Sequence, residues 1–316
     1  MVSRTGSPPG IVAVCAVVTA VTLGRHPSRQ HRLARSAEHL AGGRDPRCWI
    51  VLMTDLDRYG PWAVIAGGSE GVGAEFARSL AGDGFNLVLI ARKPGPLDET
   101  AESCRELGAD VRTLSLDLLD PEATSRIAEA TADIEVGLLI YNAGASTCND
   151  PFLDADLAEW RKIIDLNMSR MLELTQHFGR RMVAQSRGGI ILVGSLSGYM
   201  GSVRHAVYSG VKAFGRMFAE SLWLELREQG VDVLELVLGV TRTPAMERAG
   251  LRFDIPGFIV NDPADVAREG LEHLGDGPVH VAGGNAEQAA RNSGPDRARI
   301  VLESHLAIQR LIGAQP

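Results

Sequence analysis

Short apolar runs alternate with amphipathic segments along most of this chain, and the alternation limits the folds open to it. The first two apolar runs, WAVIAGG from Trp62 and FNLVLIAR from Phe85, are uninterrupted, as strands buried on both faces are. A segment with helical spacing, AEFARSLAGDG, separates them. Parallel strands need crossover helices of this kind, so the pattern predicts an α/β fold with a doubly wound, mostly parallel sheet in a single domain.

The same alternation continues towards the C-terminus. Strands are predicted at VRTLSLD, VGLLIYNAG, GIILVGS and VDVLELVLG, and helices at about 156–186 and 208–229, the second ending at Gly230. A lid-like stretch at about 244–262, a short strand in PVHVAG and a helical C-terminal tail follow. We therefore predict one domain over residues 53–316.

Residues 1–52 differ from the rest of the chain in charge. They carry seven arginines against Glu38 and Asp45, a net +5, whereas the whole chain has a net charge of −7. The apolar run at 11–24 is shorter than the roughly 20 residues that a membrane-spanning helix needs. We interpret residues 1–52 as an extension, disordered or translated from a misplaced start, and expect the domain to fold without it. A targeting or membrane-surface segment is the alternative.

Composition argues against several classes of partner. The acidic net charge predicts no nucleic-acid binding, and a membrane association is not expected. The four cysteines show no CxxC spacing, which favours a reducing compartment and predicts a cytoplasmic protein without a metal site.

The segment AGGSEGVG, residues 66–73, lies between the first strand and the first long helix. Glycines there let the backbone turn tightly and approach a pyrophosphate, and the helix N-terminus favours its charge. The spacing of Gly67, Gly71 and Gly73 differs from the standard GxGxxG. We predict a dinucleotide site because the loop lies between the first strand and the helix that follows it.

The end of the second strand predicts which nicotinamide cofactor binds. An acidic residue there would accept the ribose hydroxyl of NAD, whereas a basic residue accommodates the 2′-phosphate of NADP. The chain has Ala91 followed by Arg92, which favours NADP, and NAD is the less favoured alternative. Glu70 in the glycine loop argues weakly against a phosphate.

Tyr208 and Lys212 are four residues apart and so share one face of a helix. The chain has only three lysines, which makes this pairing conspicuous. A phenol is a poor acid or base at neutral pH, but an adjacent ammonium favours the phenolate and brings proton transfer within reach. Ser195 ends the fifth strand, at the edge of a parallel sheet where ligands bind, and its hydroxyl could orient a substrate carbonyl.

The glycine loop after a strand, the NAG at 142–144, Ser195 and YSGVK together resemble the short-chain dehydrogenase/reductase family. The likeness extends from Tyr59 to about Gly284, includes LGVTRTP, and is greatest to steroid-dehydrogenase and ketoacyl-reductase-like members. It implies a Rossmann fold that transfers hydride between a nicotinamide cofactor and an alcohol or carbonyl. Ala66, Tyr141 and Leu238 depart from the family pattern and weaken the bracing of local turns.

The resemblance implies roles for individual residues. Tyr208 would be the general acid and base, Lys212 would assist it and hold the nicotinamide ribose, and Ser195 would orient the substrate oxygen. Asn167 would position a water for proton relay. The residues expected to bind the cofactor are Gly67, Ser69, Gly71, Val72, Gly73, Arg92, Asp117, Leu118, Asn142, Ala143, Gly144, Tyr208, Lys212, Gly239 and Thr243.

Apolar residues in the predicted lid favour a hydrophobic carbonyl or alcohol substrate; they are Leu251, Phe253, Ile255, Phe258 and Ile259. The alternative function is a sensor or scaffold that binds NADP without turnover. Excess apolar surface on the helices at 156–186 and 208–227 favours a homodimer or homotetramer. Cys148 and His205 could line the pocket, although an incidental placement is the simpler interpretation.

Overall fold

The computed structural model describes residues 54–248, 253 and 259–312. Nine strands are found in these ranges: β1 Trp62–Ala66, β2 Asn86–Ala91, β3 Val111–Ser115, β4 Val136–Tyr141, β5 Gly188–Ser195, β6 Val231–Leu238, β7 Val240–Thr241, β8 Val260–Asn261 and β9 Val279–Val281. The helices there are α1 Leu56–Tyr59, α2 Gly71–Gly82, α3 Pro94–Glu106, α4 Ala123–Ala130, α5 Leu157–Ile164, α6 Arg170–Gln185, α7 Ala206–Leu226, α8 Pro244–Arg248, α9 Pro263–Glu272, α10 Ala286–Asn292 and α11 Arg297–Ile312.

Seven strands form one parallel sheet in the order β3-β2-β1-β4-β5-β6-β9. The predicted doubly wound parallel sheet is therefore confirmed. The order reverses between β1 and β4, and in sheets of this type ligands bind beyond the carboxyl ends of the strands at that reversal. The loops after β1, β4 and β5 carry AGGSEGVG, NAG and Ser195 to this edge.

Both faces of the sheet are covered, which explains the uninterrupted apolar strands. Ile65 of β1 packs in one core with Phe76 of α2, and its neighbour Val64 packs in the other with Phe178 of α6. All four side chains are fully buried. Burying a large apolar side chain stabilises a fold by about 1.5–3 kcal/mol, so the two cores together fix the sheet on which the loops stand.

The long predicted helices are present with two refinements. The region 156–186 consists of α5 and α6 joined by a π-helical turn, Asp165–Ser169. The helix that contains Tyr208 is α7, and a short 3₁₀ turn continues it to Gly230, whose φ of 78° suits glycine. The predicted helical tail corresponds to α10 and α11.

Two elements were not predicted, and some predicted features lie outside the described residues. The sequence analysis missed the single-turn α1 and the small parallel sheet of β7 and β8. The extension 1–52 and most of the proposed lid, residues 249–252 and 254–258, are outside the described ranges. Among the helices that can be described, none has the length and apolar character needed to cross a membrane.

Candidate active site

The glycine loop passes directly from β1 into α2 and is tied to the end of β4. Gly67 has φ +84°, and its carbonyl oxygen accepts a hydrogen bond of 2.9 Å from Nδ2 of Asn142. A Cβ on Gly73 would collide with the same carbonyl oxygen and with that amide. Positions 67 and 73 therefore suit glycine alone, because one needs left-handed backbone and the other a close approach of helix to loop.

The N-terminus of α2 offers uncapped backbone N–H groups to an anion. Glu70 precedes the helix, but its side chain makes no capping hydrogen bond, and the first turn contains no acidic residue. The Glu70 carboxylate pairs instead with the guanidinium of Arg248, with Nη1 to Oε2 at 3.0 Å. The negative charge that argued against a phosphate is thus offset by α8, and the loop fits the pyrophosphate of a dinucleotide.

The other predicted cofactor residues line the same edge of the sheet. Arg92 is exposed immediately after β2, and Asp117 follows β3 and accepts the backbone N–H of Leu119 at 3.0 Å. The side chain of Thr243 lies next to Gly71. The remaining positions after β1, β3, β4 and β6 are Ser69, Val72, Leu118, Ala143, Gly144 and Gly239.

Arg170 holds the loop after β3 and was missed in the sequence analysis. Its side chain is buried in α6, where Nε donates to the carbonyl of Leu118 at 2.8 Å and Nη2 to that of Asp120 at 2.9 Å. The arginine thereby fixes the loop that presents Asp117. No local motif marks this role, because the partners are about fifty positions away in the chain.

Lys212 joins Tyr208 on α7 to the end of β5, where Ser195 lies. Nζ of Lys212 donates a 3.0 Å hydrogen bond to the carbonyl of Val193, two residues before Ser195. The same nitrogen lies 5.7 Å from the centre of the Tyr208 ring. All three side chains are half-buried, so they are reachable at the sheet edge yet held in place.

Asn167 completes this group from the π-helical turn. Its Nδ2 donates to the carbonyls of Ile163 at 3.0 Å and Ala145 at 3.2 Å. Its Oδ1 is buried and has no hydrogen-bond partner among the described residues. A Cβ on Gly144 would lie 2.6 Å from that oxygen and 3.1 Å from Nζ of Lys212, so the asparagine and the lysine face the same small space.

Glu235 lies in the interior of β6 near Lys212 and was also missed. It is 2% exposed, and burial raises its pKa to about 8 despite the nearby Lys212 and Arg216. A signal was present in the sequence, since Glu235 interrupts the apolar residues that follow Asp232 in VDVLELVLG. A strand prediction based on hydrophobic pattern assigns no role to such an acid.

Cys148 and His205 both border Tyr208. Cys148 packs with Trp160, Ile163 and Val211 in a small apolar cluster, and Tyr208 packs against that cluster. The His205 ring lies 6.0 Å from the Tyr208 ring. Across the described ranges, no three or more His, Cys, Asp or Glu side chains are grouped so that they could hold a metal ion.

Comparison with known proteins places this arrangement in a family. The family profile described as short chain dehydrogenase matches residues 61–251. The chain belongs to the short-chain dehydrogenase family. A very-long-chain 3-oxoacyl-CoA reductase of Neurospora crassa is 37% identical over 238 residues, which cover 72% of this chain and 69% of that protein. The predicted family, with its steroid-dehydrogenase and ketoacyl-reductase-like members, is confirmed.

Solved structures of short-chain dehydrogenases also resemble the chain. A structure from work on the stereoselectivity of 7β-hydroxysteroid dehydrogenase superposes with a TM-score of 0.73 and 27% identity, covering 79% of this chain and 99% of that one. A short-chain dehydrogenase from Sphingobium yanoikuyae in complex with NADPH gives a TM-score of 0.65 and 28% identity, covering 78% and 96%.

Proposed function

We propose that this short-chain dehydrogenase interconverts an alcohol and a carbonyl on a hydrophobic substrate, with NADP(H) preferred over NAD(H). The meeting of Lys212, Tyr208 and Asn167 beside Gly144 and the end of β5 carries the proposal. Proton-handling groups are placed there beside a loop that fits a dinucleotide. A bound nicotinamide cofactor would supply or accept the hydride.

Three side chains take part in the proton transfer, and two of them act on the substrate oxygen. The hydroxyl of Ser195 donates a hydrogen bond to the carbonyl oxygen and orients it towards Tyr208. The Tyr208 phenol delivers the proton in reduction and removes it in oxidation. Lys212, fixed by its bond to the Val193 carbonyl, favours the phenolate through its charge and reaches the ribose hydroxyls of the cofactor.

Asn167 connects this proton transfer to solvent. Its unpartnered Oδ1 accepts a hydrogen bond from a water molecule, and that water bonds in turn to the Lys212 ammonium facing the same space. A proton given up by Tyr208 is then replaced through the water. The two hydrogen bonds donated by Nδ2 hold the amide so that Oδ1 faces the water.

Apolar surface near Tyr208 supports a hydrophobic substrate. Segments that follow β4, β5 and β6 at the carboxyl edge expose large apolar side chains, as does the residue preceding β8. Tyr208 itself packs against the buried apolar cluster that contains Trp160, Ile163 and Val211. The exposed residues are Phe152, Leu153, Val203, Met246 and Ile259. Exposed apolar groups on the edge of the sheet that also carries the polar centre are typical of a ligand site.

A substrate screen tests the proposal directly. The purified chain is incubated with NADPH or NADH and with three ketones: a 7-oxo steroid, a long-chain 3-oxoacyl-CoA thioester and a small polar ketone as control. We expect NADPH consumption with at least one of the two hydrophobic ketones and less with the polar one. Tight NADPH binding without turnover of any ketone would support the sensor alternative.

The preference for NADPH is tested by Arg92→Ala. One charge-assisted contact with a phosphate contributes about 1.5–3 kcal/mol, so the variant should lose roughly ten- to a hundredfold in NADPH affinity. NADH affinity should scarcely change. Cofactor titration by fluorescence measures both. Arg105→Ala, at the opposite edge of the sheet, is the control, and equal losses for both cofactors would give Arg92 a structural role.

We also propose that the enzyme is a homodimer or homotetramer. Four apolar side chains on α5 and α7 are substantially exposed: Leu157, Ile164, Met217 and Leu224. A second copy would cover them. Light scattering should give at least twice the 33.8 kDa chain mass, and Leu224→Glu, which places a charge on that surface, should lower it. A chain that is monomeric at micromolar concentration would contradict the proposal.

The free thiols agree with the proposed cytoplasmic location. Cys104 and Cys148 are both buried and unbridged. Burial raises the pKa of the Cys104 thiol, which makes it less reactive. Thiols persist in this form in a reducing compartment.

A further inference from the structure

A carboxyl group is enclosed near the half-buried Lys212, between β5 and α7. Glu235 is 2% exposed, and its Oε1 fills the space that a side chain at Gly194 would occupy. A Cβ on Gly215 would lie 3.7 Å from the same oxygen. The carboxyl therefore sits between β5 and α7, against the stretch of backbone that carries both Ser195 and the carbonyl to which Lys212 is bonded.

The groups that face this carboxyl come mainly from one helix. Lys212, Arg216 and Glu220 follow one another at successive turns of α7, and Tyr199 lies beyond the end of β5. Among the residues that the structure describes, these four are the titratable and charged neighbours of Glu235. The residues beside it in the sheet, Leu192 and Val279, are apolar. The guanidinium of Arg216 lies over the Tyr199 ring, 4.3 Å from its centre.

Glu235 makes no ion pair with any residue that the structure describes. Its Oε2 is buried with no hydrogen-bond partner in the described part of the chain. Burial raises the pKa of Glu235 to about 8, and the attraction of Lys212 and Arg216 reduces that rise without cancelling it. With a pKa of about 8, the carboxyl is mostly uncharged at neutral pH and ionises in mildly alkaline solution.

We propose that Glu235 is a positioning residue that acts through Lys212. While the Glu235 carboxyl is uncharged, the Lys212 ammonium stabilises the Tyr208 phenolate with its full charge; the Glu235 carboxylate offsets that charge. The proposal rests on the proposed roles of Tyr208 and Lys212. A negative charge near Lys212 opposes a second negative charge on the phenol, both directly and by offsetting the ammonium. Once Glu235 has ionised, the Tyr208 phenolate is therefore less favourable, and it forms at a higher pH than it would without the Glu235 charge.

Ultraviolet titration of phenolate tests this without any substrate. The signal of Tyr208 is the difference between a chain and the same chain carrying Tyr208→Phe, measured with Glu235 intact and with Glu235→Gln. Burial raises the pKa values of the other three tyrosines, Tyr59, Tyr141 and Tyr199, so their phenolates form above the pH at which an ordinary phenol ionises. We expect Glu235→Gln to lower the midpoint of the Tyr208 signal by about one pH unit, the effect of one buried charge on a neighbour.

Two further variants control the titration. Glu220→Gln removes a half-buried carboxylate two turns beyond Lys212 on the same helix and should leave the midpoint within about 0.3 pH unit, because distance and solvent weaken its effect. Glu235→Ala removes the titrating group without introducing an amide, and it must reproduce the shift of Glu235→Gln. If Glu235→Gln and Glu235→Ala both leave the midpoint unchanged, the proposal is wrong.

Thermal melting against pH measures the ionisation of Glu235 itself. Since its folded pKa of about 8 exceeds the unfolded value of 4.5, the folded chain holds a proton that the unfolded chain has lost between these pH values. Stability contributed at this site therefore falls as pH rises from about 5 to 8. The melting temperature of Glu235→Gln should equal that of the wild-type chain at pH 5 and exceed it by about 5 °C at pH 8.

Together, the Tyr208 midpoint and the melting temperatures distinguish an electrostatic role of Glu235 from a purely structural one, and they test it independently of the proposed function. A rise in melting temperature without a shift in the Tyr208 midpoint would make Glu235 a buried acid with no influence on the site, and would overturn the proposal. Both shifts together support it. An unchanged difference in melting temperature from pH 5 to 8 would also overturn it. Neither measurement requires turnover, so a failed substrate screen would contradict the proposed function alone.

Discussion

Tyr208→Phe should lose about 10²–10⁴-fold in turnover while the chain folds and binds NADPH as before. The phenolic oxygen is the only atom removed, and it is the group placed to exchange a proton with the substrate oxygen. The aromatic ring keeps its packing against the cluster around Trp160, so stability should be little changed. The measurements are turnover on the ketone selected by the screen, NADPH titration and thermal melting.

Tyr59→Phe is the matched control for that result. Its hydroxyl donates a 2.6 Å hydrogen bond to Asp232 near the amino end of β6, at the opposite edge of the sheet from Ser195. The control should lose about 1 kcal/mol of stability, the usual net value of one hydrogen bond, and retain turnover. A fully active Tyr208→Phe would remove the phenol from the mechanism, whereas a loss in both variants would indicate a general effect on folding.

Lys212→Arg should fold normally and lose about 10²-fold in activity, even though the positive charge is retained. Nζ is confined between the Val193 carbonyl and the space beside Gly144 and Asn167. A planar guanidinium is wider than an ammonium and presents its donors in a fixed fork, so it cannot occupy this position without displacing its neighbours. A displacement of about 1 Å at a reacting group can cost activity on this scale.

Lys162→Arg provides the corresponding control. Lys162 is exposed on α5 and pairs with Glu159 at 2.7 Å, an interaction that arginine preserves. Turnover, NADPH affinity and melting temperature should all match the wild-type chain. Full activity in Lys212→Arg would show that charge alone is needed, and would exclude the proposed bond to the ribose while leaving the role of Tyr208 intact.

Much of the candidate site could be read from the sequence because its motifs are local. The four-residue spacing of Tyr208 and Lys212 needs only one turn of helix to place both on one face. The glycine loop needs only the strand before it and the helix after it. Arg92 and Asp117 likewise each follow a strand directly, so the parallel sheet brings them to the same edge.

Asn167 and Glu235 show where that reasoning ends. Asn167 was singled out by its motif, but its orientation depends on a π-helical turn that lets Nδ2 reach two backbone carbonyls and leaves Oδ1 unpaired. Glu235 was passed over because an acid inside an apolar strand has no local partner. The tertiary structure explains how the acid is accommodated, because Gly194 on the adjacent strand and Gly215 on α7 leave room for its carboxyl.

The sequence by itself therefore determined the α/β class, the order of strands and helices, and the segments that meet at the carboxyl edge of the sheet. These follow from hydrophobic period and from residues close together in the chain. Only the tertiary structure decided the pairing of Glu70 with Arg248, the anchoring of the Asp117 loop by Arg170, and the enclosure of Glu235 near Lys212. Those contacts join residues far apart in the chain, and packing, which no local pattern encodes, sets their distances and charges.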